Sequence, residues 1–366
     1  MEPPAAPDYY GDYGAPDAYY GEQQLTKTTV LSFDGSSAEV LRELYFEGGY
    51  ASSRRVDSHV RSVFNGIATG PQLSYSPDDS GYGYGQPDKG DLLGSYEGLR
   101  LINQMRIASS RLDDYLSRGF ERTPAGVAER APSCTDFYVP SAGSTSAGMV
   151  LVESIDLENV SGAVEQTSVV GTAEVVYSSK DALYIAGVGW NELADTYSLI
   201  SSQPLSTSAT HIHKFDLAAN PRKPAYLASG TVWGYLNDQF SLDEHEGVLR
   251  AAATGEMVSI DSWETANHLF TFGPQLEPLG SVTNLAPGET IYSVRFVGDR
   301  GYIVTFRQVD PLFAFDLSDP SAPTKLGELK IPGFSTYMHP IEGGDYLLTI
   351  GQADDGWGNA ALQIFD

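Results

Sequence analysis

One short pattern recurs along this chain and limits its possible folds more than any other feature. An apolar strand ends in an aromatic residue or isoleucine followed by aspartate, and a turn and a second strand come next. Clear copies are VLSFDGSSAEVLRELYF from Val30 and LFAFDLSDPSAPTKLGELKI from Leu312. An aspartate at the start of a turn can accept hydrogen bonds from the backbone N–H groups that follow it. We therefore interpret these marker aspartates as structural; they are Asp34, Asp156, Asp216, Asp316 and Asp366.

A second pattern precedes each marker and consists of two apolar strands joined by a short polar turn. TIYSVRFVGDRGYIVTF is an example, with Asp299, Arg300 and Gly301 at the turn. Such turns are typical of β-hairpins. Together the two patterns predict an all-β chain of repeated four-stranded antiparallel meanders, which is the blade of a β-propeller. Tandem Greek-key sandwiches fit less well because every connection is a hairpin, and a β-solenoid would need shorter repeats.

The spacing of the repeats predicts the domain organisation. A flexible Pro/Gly/Tyr/Asp-rich linker over 1–24 precedes a propeller over 25–366. Four complete blades are predicted at about 50–170, 172–230, 235–284 and 290–331, and two partial blades at 25–47 and 333–366. Because partial blades leave strands without neighbours, we expect exposed edge strands at Val30 and Ile364.

Two insertions interrupt the blades between their second and third strands. The longer one covers 66–147. Its apolar spacing predicts an amphipathic helix over about 95–118 that packs over one rim of the propeller. The shorter one covers 189–207. Both leave from the same face of the predicted propeller, which is where we expect a partner to bind. The alternative is that the longer insertion only covers apolar surface.

The charge of the chain restricts its partners. With 48 acidic and 22 basic residues the net charge is −26, which opposes binding to nucleic acids and anionic lipids and favours cationic partners and divalent ions. Cys134 is the single cysteine, so an intramolecular disulfide and a cysteine-based zinc site are excluded. No apolar run is long enough to predict a membrane-spanning helix.

Two polar clusters are candidate metal sites. Asp243, Glu244 and His245 are adjacent at a predicted hairpin, and Asp354 and Asp355 lie in a later loop. Carboxylate oxygens are the ligands that calcium prefers, so calcium is the candidate ion. A solvated hairpin turn explains the same residues without a metal.

No catalytic motif stands out. His211 and His213 alternate on one strand and therefore share a face, but two histidines make an incomplete metal or catalytic site. Neither a nucleophile elbow nor an HExxH motif is present. The sequence therefore predicts no catalytic and no cofactor-binding residue.

The later part of the chain resembles a known family. The segment TIYSVRFVGDRGYIVTFRQVDPLFAFDLSDPSAPTKLGELKIPGFSTYMHP is similar to the signature blade of prokaryotic predicted secreted proteins that carry a C-terminal β-propeller domain. NDQFSLDEHEGVLRAAAT from Asn237 resembles a second stretch of that family. The resemblance implies a propeller fold and an extracellular, periplasmic or cell-surface location. It implies no reaction.

Three functions are compatible with these observations. The favoured one is a non-catalytic extracytoplasmic binding or scaffold protein that recognises a protein or a glycan through its rim loops. The second is a hydrolase or lyase that acts on a polymer at the mouth of the propeller channel, which rests on fold analogy alone. The third is a structural surface protein that depends on divalent ions.

Overall fold

The computed structural model describes residues 25–66, 70–71, 73–76, 89–111, 114–130, 133–140, 148–190, 205–206, 208–258, 263–306, 310–331, 333–353 and 359–366. The predicted linker 1–24 lies outside these residues, as do Asp354 and Asp355. Within them β-strands predominate, and there is one α-helix, α1 (Lys89–Ser109). The predicted all-β class is confirmed.

The strands form six sheets that follow one another along the chain. Sheet I contains β1 (Leu25–Phe33), β2 (Ala38–Glu47), β5 (Gly119–Thr123) and β6 (Gly126–Arg130). Sheet II contains β3 (Gly49–Val56), β4 (His59–Gly66), β8 (Met149–Asp156), β9 (Glu165–Val170) and β7 (Phe137–Tyr138). Sheet III contains β10 (Val175–Ser178), β11 (Ala182–Trp190), β13 (Ser208–Asp216) and β14 (Ala225–Trp233).

The remaining three sheets repeat this arrangement. Sheet IV contains β15 (Leu242–His245), β16 (Val248–Val258), β17 (Trp263–Phe272) and β18 (Pro278–Leu285), and β12 (Leu205–Ser206) also pairs with β16. Sheet V contains β19 (Thr290–Val297), β20 (Arg300–Phe306), β21 (Asp310–Asp316) and β22 (Thr324–Ile331). Sheet VI contains β23 (Phe334–Ile341), β24 (Tyr346–Gln352) and β25 (Ala360–Phe365). These strands pair antiparallel, except that β7 runs parallel to β9.

Sheets II to V are the four complete blades that the sequence predicts, and sheets I and VI contain the two partial ones. In each complete blade four strands pair in chain order, so the first strand lines the propeller axis and the fourth lies outside. A glycine with positive φ joins the last strand of one sheet to the next sheet; these glycines are Gly48, Gly171, Gly234, Gly288 and Gly333. Because Gly48 occupies this link, β1 and β2 correspond to the third and fourth strands of a blade.

The long insertion adds strands to two outer edges, which the sequence analysis did not anticipate. Its hairpin β5–β6 pairs with β2, and β7 pairs with β9. The helix within it spans Lys89–Ser109 rather than the predicted 95–118, and none of its residues is buried. At its end the hydroxyl groups of Ser109 and Ser110 donate to carbonyls of the last turn. The predicted packing of the helix on a rim is therefore wrong for the described residues.

The hydrophobic core is divided among the gaps between neighbouring sheets. Phe46 of sheet I stacks on Phe64 of sheet II with ring centroids 4.9 Å apart, and four more buried clusters join sheets II to VI in order. Alternating side chains of each strand thus reach both neighbouring blades. At the two ends of this series Phe33 is 73% exposed and Ile364 is 61% exposed, whereas Val30 packs against the core of sheets I and II. The strands that contain Val30 and Ile364, β1 and β25, each lie at the edge of their sheet, as the partial blades predict.

The antiparallel order gives the propeller two distinct faces. We call the face that carries the glycine links and the ends of β4, β11, β16 and β20 the loop face. The face that carries the marker aspartates and the tight hairpins is the turn face. Both insertions leave from the loop face, since they follow β4 and β11.

Candidate functional site

The described marker aspartates shape turns. Each accepts a hydrogen bond at Oδ1 from the backbone N–H two residues further on, at 2.8 to 3.0 Å. Hydrogen bonds from Ser318, together with Arg300, lower the pKa of Asp316 to about 2. The residues concerned are Asp34, Asp156, Asp216 and Asp316, while Asp366 directly follows β25.

The predicted metal cluster of Asp243, Glu244 and His245 connects three neighbouring sheets. Asp243 binds Arg250, whose Nε lies 3.0 Å from Oδ2 of the carboxylate. Glu244 accepts a hydrogen bond from Ser179 of the preceding sheet, and the backbone N–H of Glu244 donates to the hydroxyl of Tyr177 at 3.0 Å. Successive side chains of a strand point to opposite sides, so Glu244 diverges from Asp243 and His245.

The same cluster has cationic partners and extends toward sheet V. Lys214 Nζ lies 3.7 Å from Glu244 Oε1, and His245 Nε2 lies 3.6 Å from Asp299 Oδ1. Among the residues that the structure describes, no three His, Cys, Asp or Glu side chains converge as ligands for a metal ion. Calcium binding stays a prediction, and the geometry of Asp243, Glu244 and His245 favours a joint between blades.

His211 and His213 do share one face of β13, and both are buried. Glycines make room for them: a Cβ at Gly189 would lie 2.3 Å from Nε2 of His211, and one at Gly171 would lie 3.2 Å from Nε2 of His213. His213 Nδ1 lies 3.4 Å from the hydroxyl of Tyr226. Burial, with a smaller contribution from His211, lowers the pKa of His213 to about 4. A neutral imidazole in this position acts as a packing group.

A buried carboxylate anchors the insertion hairpin to sheet II. Glu153 of β8 is fully buried, and its Oε1 lies 3.2 Å from Nη1 of Arg130 in β6. Burial raises the pKa of Glu153 to about 8, and this effect outweighs the attraction of Arg130. Arg42 of β2 binds Glu121 of the same hairpin with Nε 2.8 Å from Oε1. The outer strands from the insertion are thus held by the contact between Arg130 and the buried Glu153 and by the ion pair between Arg42 and Glu121.

Exposed aromatic residues lie on the loop face at the link between sheets III and IV. Trp233 is 43% exposed and Tyr235 is 37% exposed, on either side of Gly234. Gly234 has φ of 108°, and a Cβ there would lie 2.6 Å from the carbonyl oxygen of Thr254. The backbone N–H of Tyr235 donates to that same oxygen at 2.8 Å. The link is therefore held close to β16, and both aromatic residues are exposed on the loop face.

Sequence reasoning missed this pair because neither aromatic belongs to a chemical motif. The only signal available was the glycine between two aromatic residues immediately after a fourth strand. Acidic residues lie near the links on the loop face: Asp238 at this link, and Glu47, Glu174 and Glu289 at the others.

A comparison with protein families decides the identity of the fold. The sequence model of the β-propeller domain family matches residues 4–366 of this chain. The chain belongs to the β-propeller domain family. Membership of this family confirms the resemblance that the repeated blades suggest.

Two archaeal relatives match parts of this β-propeller domain. An uncharacterised protein of Methanocaldococcus jannaschii is 46% identical over 134 residues, which is 36% of this chain and 21% of the relative. An uncharacterised protein of Archaeoglobus fulgidus is 43% identical over 157 residues, which is 43% of this chain and 23% of the relative. The matched segments thus span less than a quarter of each relative.

Solved structures resemble the β-propeller domain only distantly. A Synechocystis apocarotenoid oxygenase overlaps with 68% of this chain and 64% of its own at 12% identity and a TM-score of 0.35. A chain of a mitotic checkpoint complex overlaps with 68% of this chain and 84% of its own at 11% identity and a TM-score of 0.26. Likeness at this level carries no conclusion about function. Within the described residues, no helix has the length and apolar character needed to cross a membrane.

Proposed function

We propose that this chain is a non-catalytic binding or scaffold propeller that acts outside the cytoplasm and binds a basic partner protein through its loop face. The observation that carries the proposal is the exposed pair Trp233 and Tyr235 on that face. Tryptophan and tyrosine are enriched at the centres of protein interfaces, since they bury a large area and keep a polar group available.

The charge of the chain supports a basic partner. The net charge of −26 attracts cationic surfaces and increases the rate of encounter with them. Acidic side chains near the aromatic pair, such as Asp238, would form the polar rim of an interface. The location outside the cytoplasm is supported by the family resemblance alone.

The insertions also support the loop face as the binding surface. The two chain segments that follow β4 and β11 leave from the face that carries Trp233. Loops on a rigid scaffold are the usual carriers of recognition, because they vary without disturbing the core.

Site-specific crosslinking in the native cells tests the proposal. A photoreactive benzoylphenylalanine replaces Trp233 in one variant and Tyr346 in a control, since Tyr346 is 39% exposed near the turn face. We expect a specific crosslinked protein from position 233 only, whose yield falls as the salt concentration rises. Equal crosslinking at both positions, or none at position 233, would contradict the proposal. Protease treatment of intact cells and of cells whose outer envelope has been opened checks the compartment: digestion in either case supports the proposal, and protection in both would contradict it.

A further inference from the structure

The helix α1 has a composition that its packing within this chain does not explain. It spans 21 residues, none of them buried, and seven large apolar side chains along it are 38–64% exposed. An isolated helix of this length is marginal in water, and most helices in proteins are stabilised by packing of an apolar face. The helix therefore requires a further surface to pack against.

Two glycines inside α1 point to the kind of surface. Gly94 and Gly98 lie within the helix, where glycine costs about 1 kcal/mol relative to alanine. In the described structure a Cβ at either position would have no neighbour within 4 Å beyond the adjacent helix backbone, and neither glycine has positive φ. Contacts and conformation within this chain thus give no reason for them. Small residues on a helix surface allow a second helix to approach closely.

The helix has an inner side and an outer side. Ser95, Leu99 and Asn103 are its half-buried residues, spaced four apart, and Asn103 Nδ2 donates to the carbonyl oxygen of Ser74 at 2.7 Å. This line of residues faces the insertion to which the helix belongs. Exposed residues on the outer side follow the alternating spacing of three and four that is typical of a coiled-coil seam. They are Gly90, Leu93, Glu97, Arg100, Gln104 and Ile107.

We propose that α1 binds α1 of a second copy of this chain in an antiparallel pair with two-fold symmetry. The charges of the seam select this arrangement. With the two-fold axis between positions 98 and 99, Glu97 of each copy lies level with Arg100 of the other, so two ion pairs form across the axis. A parallel pair would set Glu97 against Glu97 and Arg100 against Arg100, and like charges repel.

The same alignment sets large side chains against small ones. Ile107 of one copy lies level with Gly90 of the other, and Leu101 lies beside Gly94 on the flank of the seam. Because the half-buried side of each helix points away from the seam, the two propellers lie on opposite sides of the pair.

The overall charge of the chain also favours α1 as the contact between copies. Two chains of net charge −26 repel each other over most of their surface. The helix carries three basic and two acidic side chains, so it is nearly neutral and the repulsion is weakest there. The proposal is independent of partner binding by Trp233 and Tyr235, which lie outside α1.

Sedimentation equilibrium of the whole chain tests the dimer. We expect twice the 39.5 kDa mass of one chain. The dimer should predominate at about 100 µM, as for a micromolar dissociation constant. Glu97→Arg and Arg100→Glu should each weaken dimerisation by about 10-fold or more, because each replaces two attractive contacts by two repulsive ones. Glu129→Arg makes the same charge change at an exposed residue of β6 and should leave dimerisation unchanged.

An equimolar mixture of the two seam variants separates loss of pairing from loss of folding. One variant carries two basic seam residues and the other two acidic ones, so a mixed dimer should form at least as tightly as the unmodified dimer. The proposal is overturned if the unmodified chain is monomeric at about 100 µM, if both seam variants dimerise as it does, or if their mixture stays monomeric. A monomeric chain that sediments with phosphatidylcholine vesicles would overturn it in favour of a membrane as the surface that covers α1.

Discussion

The buried carboxylate of Glu153 should make the stability of the protein depend on pH in a defined way. Glu153 is 0% exposed, and burial raises its pKa from 4.5 to about 8 despite the nearby Arg130. Between these two values the folded chain keeps the proton while the unfolded chain releases it. The contribution of Glu153 to the free energy of unfolding is therefore fully present below about pH 4.5 and is lost as the pH rises toward 8.

The expected size follows from the linkage between protonation and folding. One bound proton changes the free energy of unfolding by about 1.4 kcal/mol per pH unit. From pH 5.5 to 7.5 the contribution of Glu153 should therefore fall by about 3 kcal/mol. Glu153→Gln keeps the shape and an acceptor for Arg130 but cannot ionise, so this part of the pH dependence should disappear.

Urea unfolding at pH 5.5, 6.5 and 7.5 measures the effect in the unmodified chain and in Glu153→Gln. The variant should gain about 3 kcal/mol relative to the unmodified chain over this range. Glu158→Gln, an exposed residue two positions beyond the strand end, serves as the control and should follow the unmodified chain. If Glu153→Gln also follows it, burial does not control this carboxylate and the reasoning is refuted.

Three further predictions concern packing and turns. As the pH falls from 6.5 toward 4, the free energy of unfolding of the unmodified chain should fall by up to about 3 kcal/mol, because the buried imidazole of His213 resists protonation. His213→Gln should remove this loss, and urea unfolding across the same pH range checks it. Gly48→Ala should destabilise the chain by about 1–3 kcal/mol more than Gly126→Ala, since both have positive φ but only the first would place a Cβ 2.6 Å from Asn65 O; equal effects in thermal unfolding would contradict this. Asp316→Ala should lower the melting temperature, and Asp316→Asn should restore most of it if turn hydrogen bonding matters more than charge.

Much of the fold could be predicted because each blade repeats a local code. Apolar alternation, hairpin turns and the marker aspartates predicted four complete blades and two partial ones, and the sheets confirm them. The register of β8 against β4 even places Asp156 at the turn, as the pattern requires. A meander is predictable because strands that are neighbours in sequence are also neighbours in space.

The role of the long insertion could not be predicted in the same way. The hairpin β5–β6 pairs with β2 across a long stretch of intervening chain, and its partner carries no local signal for that pairing. Apolar residues after Ser109 looked helical by spacing, but Leu116 is buried in the segment that leads into β5. The choice between helix and strand there depends on the free outer edge of β2, which is a tertiary feature.

The candidate sites show the same division. Sequence alone determined a repetitive all-β chain, its strongly acidic surface and the turn positions of the marker aspartates, since these depend on composition and on contacts within a few residues. Tertiary structure decided which polar residues meet. It separated Glu244 from Asp243 and His245, its neighbours in sequence, because successive side chains of a strand point to opposite sheets. It also brought Arg61 and Ser154 together from strands far apart in the chain, because antiparallel register sets opposite residues side by side.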